Sequence, residues 1–187
     1  MHKYYNIYYF IENFDFKELS NINQKINIVY RNYKSSDNLY DLVKIKMFCK
    51  KFGFKLFISN NIKLALKMGL DGVYLPAFNK KLKYYNLSRK RNFKIIGSAH
   101  NIVDIKIKEN QNCKDIFLSP IFKTNKNKYF LDTVRFNLIS KITSKNIISL
   151  GGINYKNFKK IRLTKSKGFA SISWIKKNGL NKNLGRF

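Results

Sequence analysis

Short runs of β-branched and aromatic residues alternate with helical apolar patterns along the whole chain. Ile7 to Ile11 reads as a first strand, followed by a short helix from Asp15 to about Ile22. Lys25 to Arg31 reads as strand two. Asp37 is placed to cap the next helix, in which Leu39, Leu42, Val43, Ile45, Met47 and Phe48 fall mostly on one face. Gly53 ends that helix, Lys55 to Ser59 is strand three, and Asn61 to Met68 is a short helix. The turn from Gly69 to Gly72 leads into strand four, Val73 to Leu75.

Lys94 to Ser98 is strand five and Ile102 to Glu109 the helix after it. Asp115 to Ser119 is strand six, followed by a basic loop from Pro120 to Asp132 and a helix from about Val134 to Thr143. Strand seven starts at Asn146 and ends in Gly151-Gly152, with Asn154 where a helix N-cap belongs. A helix near Tyr155 to Leu163 leads to strand eight, Gly168 to Ser173. Eight strands with short crossovers predict a parallel sheet closed on itself, an α/β fold of the compact (β/α)8 TIM-barrel type. Such barrels typically run to about 250 residues, so at 187 residues the helices must be trimmed. No linker divides the chain. Residues 1–175 read as a single barrel domain and 176–187 as a polar C-terminal tail.

Hydrophobic residues at 44% and aromatics at 16% exclude a disordered chain. Lys and Arg number 38 against 10 acidic residues, a net charge of +28. That balance suits nucleic acid, yet the lysines are spread over every helix and loop, with no stripe that interleaves them with aromatics. A nucleic-acid partner is therefore not expected, although a positive field would gather phosphorylated metabolites. Cys49 and Cys113 stand far apart and read as two buried thiols of a reducing, cytoplasmic compartment. The first eleven residues read as a strand rather than a signal peptide, and no apolar run is long enough to span a membrane.

In a barrel of this kind the chemistry lies at the C-terminal ends of the strands. Those positions are Glu12, Arg31, Ser59 to Asn61, Pro76 to Asn79, Ser98 and His100, Ser119 to Thr124, Gly151 and Gly152, and Ile172 and Ser173. Gly151 and Gly152 admit positive φ and close approach of a ligand to the backbone, so that free N–H groups past strand seven suit a phosphate. A planar guanidinium at Arg31 suits an anion. His100 reads equally as a proton carrier or as the cap of the following helix. Asp71 and Asp115 precede strands and belong to the opposite, stabilising face. Only Glu12 and Asp132 among the carboxylates remain for the site, which is a poor offer to Mg²⁺.

Five segments taken in order and spacing, Ala65 to Leu75, Ile95 to His100, Ser119 to Thr124, Ser149 to Ile153 and Gly168 to Ser173, make the chain resemble the thiamine phosphate synthase/TenI family over nearly its whole length. The resemblance implies a barrel of thiamin biosynthesis. Its members couple a thiazole phosphate to hydroxymethylpyrimidine diphosphate with release of Mg-bound diphosphate, or aromatise a thiazole phosphate tautomer. It implies that Gly151, Gly152, Ile172, Ser173 and Thr124 hold the thiazole phosphate, with Lys126 or Lys128 supplying a cation. It makes His100 and Arg31 the catalytic candidates, with Ser98, Asn60 and Asn79 at the substrate. Asn60 and Asn79 stand where the family has Mg²⁺-binding aspartates, so no metal ligand is assigned and Mg²⁺ enters only if coupling is retained. A small phosphorylated metabolite is the expected partner, and a homodimer is compatible with the sequence. Two other classes are a non-catalytic metabolite-binding paralogue, which would bind without turnover, and a basic nucleic-acid binder, whose affinity would collapse with salt.

Overall fold

The β-branched and aromatic runs form eight parallel strands: β1 (Asn6–Ile11), β2 (Asn27–Tyr30), β3 (Lys55–Ser59), β4 (Gly72–Leu75), β5 (Lys94–Ala99), β6 (Asp115–Leu118), β7 (Asn146–Leu150) and β8 (Gly168–Ser171). Each pairs with the next, and β1 closes on β8 in the register Tyr8↔Ala170. The expected (β/α)8 barrel is what the chain builds. This computed structural model describes residues 6–22, 25–32, 39–82, 92–125 and 129–178, with side chains to 176. Asp37 and Lys126 lie outside the described residues.

The strands are wrapped by α1 (Phe16–Ser20), α2 (Leu39–Phe52), α3 (Ile62–Lys67), α4 (Ile102–Asn110), α5 (Asp132–Ser140) and α6 (Ser173–Asn178). Several are a turn or two long, as the chain length required. Asn61 and Asn101 cap α3 and α4 by accepting the N–H of Leu64 and Asp104, which satisfies a donor the first turn leaves open. The buried stripe of α2 is Leu42, Ile45, Phe48 and Cys49. Leu39, Val43 and Met47 are exposed, because their four-residue spacing runs along a neighbouring stripe that no element covers among the described residues.

Two further expectations are corrected. The crossover from β7 to β8 is a 3-10 helix, Phe158–Leu163, and Asn154 does not cap an α-helix. Its carboxamide oxygen accepts the N–H groups of Lys156 and Asn157, and Asn157 accepts the N–H of Asn154. These side chains take the donors an α-helix would use for its first turn. β8 ends at Ser171, so Ile172 lies in a bend and Ser173 opens α6, which runs past residue 175.

Alternation along each strand divides two cores. Outward side chains meet the helices. Inward ones fill the lumen with Tyr8, Phe10, Phe57, Tyr74 and Phe117 around Val29, Ile96, Ile148 and Ala170. The rings meet edge to face, Tyr8 with Phe117 at 4.8 Å and Phe10 with Tyr74 at 5.1 Å. Below them Asp115 is fully buried and accepts from the Tyr8 hydroxyl, from Lys94 at 2.6 Å and from Asn146 at 3.0 Å. This ion pair belongs to the N-terminal pole, where the sequence places Asp115. With the floor sealed, the polar groups of the molecule's other end are left at the C-terminal mouth. No helix among the described residues is long and apolar enough to cross a membrane.

Candidate active site

The aromatic plug sets the depth of the mouth, and the next inward residue on each strand stands above it. Arg31, just past β2, lays its guanidinium over the Phe10 ring at 5.2 Å, a contact that orients the planar cation. Ser98 on β5 is buried and accepts from the Tyr74 hydroxyl at 2.9 Å, which leaves its own O–H to point elsewhere. Tyr74 is a site neighbour that sequence reasoning missed. Its inward place in the run Val73 to Leu75 was the available signal.

His100 follows β5. The residue is exposed, its backbone N–H donates to Asp104, and Nδ1 lies 2.8 Å from the carbonyl oxygen of Ser119. A carbonyl only accepts, so Nδ1 carries the proton and Nε2 of the neutral ring is the basic nitrogen. The side-chain cap of α4 is Asn101 and not His100, whose ring instead meets the Ser119 carbonyl.

The loop 119–124 after β6 joins His100 to the glycine pair. Ile121 donates to Leu150 at 2.9 Å and Phe122 to Gly151 at 3.2 Å, extending the strand pairing beyond the ends of β6 and β7. Gly151 and Gly152 have φ of +90° and +71°. A Cβ on Gly152 would stand 2.4 Å from the Phe122 oxygen and 2.5 Å from that of Lys123. The sequence reading made room there for a ligand. In the fold that room is taken by the chain's own loop, so the glycines are required by packing before any ligand arrives. Among the described residues the amide N–H groups of Gly151, Gly152 and Ser173 have no intrachain acceptor. The pairing Leu150↔Ala170 sets Gly152 level with Ile172. Ile172 and Ser173 are exposed at this rim, and Thr124 is half-buried in a cleft of about 500 Å³ with Lys123, Asn125 and Phe130.

Asn60 and Asn79 lie elsewhere on the mouth, after β3 and β4. Asn60 adopts φ +60°, and its side-chain oxygen accepts from the Asn79 amide at 2.6 Å. The Asn79 side-chain oxygen accepts the Lys81 N–H at 3.0 Å. A hard divalent cation calls for charged oxygen ligands. Here it would meet two neutral amides whose oxygens are already engaged, and no group of three His, Cys, Asp or Glu exists among the described residues. The residues present do not fit a protein-held Mg²⁺.

The sequence also missed what lies beneath Asn79. Lys108 of α4 is fully buried and donates to the backbone oxygens of Pro76 and Asn79 at 2.8 Å each and to Gln111 at 2.9 Å. Burial pushes its ammonium down to about 8, with Cys113 and Asp104 opposing the shift. The signal was the three-residue spacing Ile105, Lys108, Gln111, which puts a lysine on the apolar stripe of the helix.

These elements define a (β/α)8 barrel whose polar groups gather at the C-terminal mouth, where enzymes of this architecture carry their chemistry. A family model described as thiamine monophosphate synthase matches residues 21–175. The chain is 31% identical over 168 residues to the thiamine-phosphate synthase of Pelagibacter ubique (strain HTCC1062), covering 86% of this chain and 80% of that protein. It is 27% identical to the thiamine-phosphate synthase of Prochlorococcus marinus (strain AS9601), covering 84% of this chain and 42% of that longer protein. Among solved structures, a thiamine phosphate pyrophosphorylase from Pyrococcus furiosus superposes with a TM-score of 0.74 at 16% identity, over 93% of this chain and 88% of that one, a likeness of fold. The chain belongs to the thiamine monophosphate synthase family.

Proposed function

We propose that the chain couples a thiazole phosphate to hydroxymethylpyrimidine diphosphate in thiamin biosynthesis, forming thiamine phosphate and releasing diphosphate. The observation that carries this reading is the loop 119–124, which holds the His100 ring at Ser119 and packs against Gly151-Gly152. A base and the glycine turn with its N–H donors are thus joined through one loop. In this reading the amides of Gly151, Gly152 and Ser173 hold the thiazole phosphate with Ile172 and Thr124 at its rim, and Lys126 adds charge. Ser98, Asn60 and Asn79 line the space between this cup and Arg31, whose guanidinium meets the second anion. Stabilisation of the departing charge by fixed donors is the main source of acceleration. Because the residues do not fit a protein-held Mg²⁺, no step is assigned to the metal.

One observation favours a second reading, the aromatisation of a thiazole phosphate tautomer. With Nδ1 donating to Ser119, Nε2 is the ring nitrogen left to act as a base on an exposed residue at the mouth, and a proton transfer by one base needs no second substrate. Presenting the protein with both coupling substrates, and separately with the tautomer, distinguishes the two. Thiamine phosphate as product supports coupling. Loss of the tautomer without coupling, slowed about 10²-fold by His100→Gln, supports the second reading. Binding of thiazole phosphate with neither product would make the chain a non-catalytic metabolite binder.

A further inference from the structure

The segment after β4 that carries Asn79 has its anchor inside the barrel wall. Lys108 sends its stem past Gly97 of β5, where an added Cβ would stand 2.8 Å from the lysine Cδ. At its tip the ammonium spends all three donors on neutral acceptors, the oxygens of Pro76, Asn79 and Gln111. Gln111 returns its amide to the backbone oxygens of Asn79 and Lys81 at 2.9 Å each. Among the described residues no carboxylate is hydrogen-bonded to this ammonium, and Asp104, one turn earlier on α4, acts on it only through space. A buried charge without an ion-pair partner in contact is costly, and a leucine or methionine would pack a helix against a strand without that cost. The group therefore does something that an apolar residue would not.

What it fixes is the corner of the mouth that does not fit a metal. Asn79 is held at its backbone oxygen by Lys108 and Gln111, and its side chain is pinned between Lys81 and Asn60. We propose that Lys108 is a positioning residue that holds the β4 loop so that the Asn60–Asn79 corner receives an anionic ligand group directly, with the lysine's fixed charge standing behind it in place of a protein-bound divalent cation. The ammonium does not touch the ligand. It acts through the loop geometry and through a field that burial leaves poorly screened. The inference rests on the proposed coupling reading, because it sets the second anion of that reaction, which Arg31 meets, against this corner as well.

The test uses inorganic pyrophosphate as the probe for this corner and thiazole phosphate as the probe for the glycine cup, each titrated into the full chain with chelator and then with Mg²⁺. Wild-type protein binds pyrophosphate in chelator, and Lys108→Met weakens that binding about ten-fold while thiazole-phosphate affinity stays within two-fold. Amide exchange of residues 77–81 accelerates in Lys108→Met without matching acceleration in the strands, which a general loss of stability would not reproduce. Should Lys108→Met fail to fold, Gln111→Leu leaves the ammonium in place and removes its bridge to Lys81. It is expected to loosen the same loop and to weaken pyrophosphate part of the way. Pyrophosphate binding that requires Mg²⁺, or that is equal in wild type and both variants, overturns the inference while leaving the glycine cup intact. Absence of binding by either probe overturns the inference together with the reading on which it rests.

Discussion

Lys108 shows how one residue ties stability to pH. Its folded-state value near 8 lies below the ordinary 10.5 of an unfolded lysine. Between those two pH values the unfolded chain binds more protons than the folded one, so this group's contribution to stability rises with pH across the window and is lost as pH falls through about 8. Tyr8, Tyr9, Cys49 and Cys113 work in the opposite sense. Burial, first among the causes, raises each of them, so their contribution fades as pH climbs past the unfolded thiol and phenol range. Lys108 is therefore isolated by a difference. Wild type should gain on the order of 2 kcal/mol relative to Lys108→Met between pH 7.5 and 10, read by urea unfolding at each pH. A constant difference would contradict the assignment. Asp115 gives a second prediction at the same scale. Asp115→Asn leaves Lys94 without its charge partner and should cost about 3 kcal/mol in urea unfolding, with thiazole-phosphate affinity unchanged because the pair lies at the far pole.

At the scale of elements, two glycines with similar backbone angles should respond very differently to a methyl group. Gly53 has φ +69° and open space around the added Cβ, so Gly53→Ala should cost only the left-handed backbone term, about 1 kcal/mol. Gly152→Ala adds a clash with the oxygens of Phe122 and Lys123 and should cost about 3 kcal/mol in all. It should also displace the 119–124 loop and weaken thiazole phosphate, which a parallel titration checks. Equal losses for the two variants would show that the loop does not bear on the glycine turn. The strands were legible from sequence because β-branched runs bounded by Gly and Asn leave few alternatives, and β3 was read at its full bounds. The crossover before β8 was not legible as a 3-10 helix. Its apolar spacing is helical, while the choice is made by Asn154 and Asn157 taking backbone donors, a local competition that periodicity does not register. The stripes of α2 were merged for a related reason, since hydrophobicity alone does not say which stripe the barrel covers.

For the whole molecule, closure of the barrel followed from eight alternating units, and the family from five segments in order. The mouth was legible as a list of strand ends. Its internal economy was not: the hydrogen bond from His100 to Ser119 and the clamp of Lys108 and Gln111 on the β4 loop join residues far apart in the chain, and one sequence carries no record of such pairs. The net charge of +28 is also a property at this scale. Were nucleic acid the ligand, affinity would fall by orders of magnitude between 50 and 200 mM salt. A phosphate held by fixed N–H donors at a rim should lose less than about ten-fold over the same range, since only the screened long-range field weakens.

The most direct test of the central claim is a calorimetric titration of thiazole phosphate into the full chain, followed by addition of hydroxymethylpyrimidine diphosphate and analysis of the products. Saturable binding that Gly152→Ala weakens, with thiamine phosphate formed once the second substrate is added, is the predicted result. Absence of thiazole-phosphate binding would contradict the account, because it would leave the N–H groups of Gly151, Gly152 and Ser173 without the anion assigned to them.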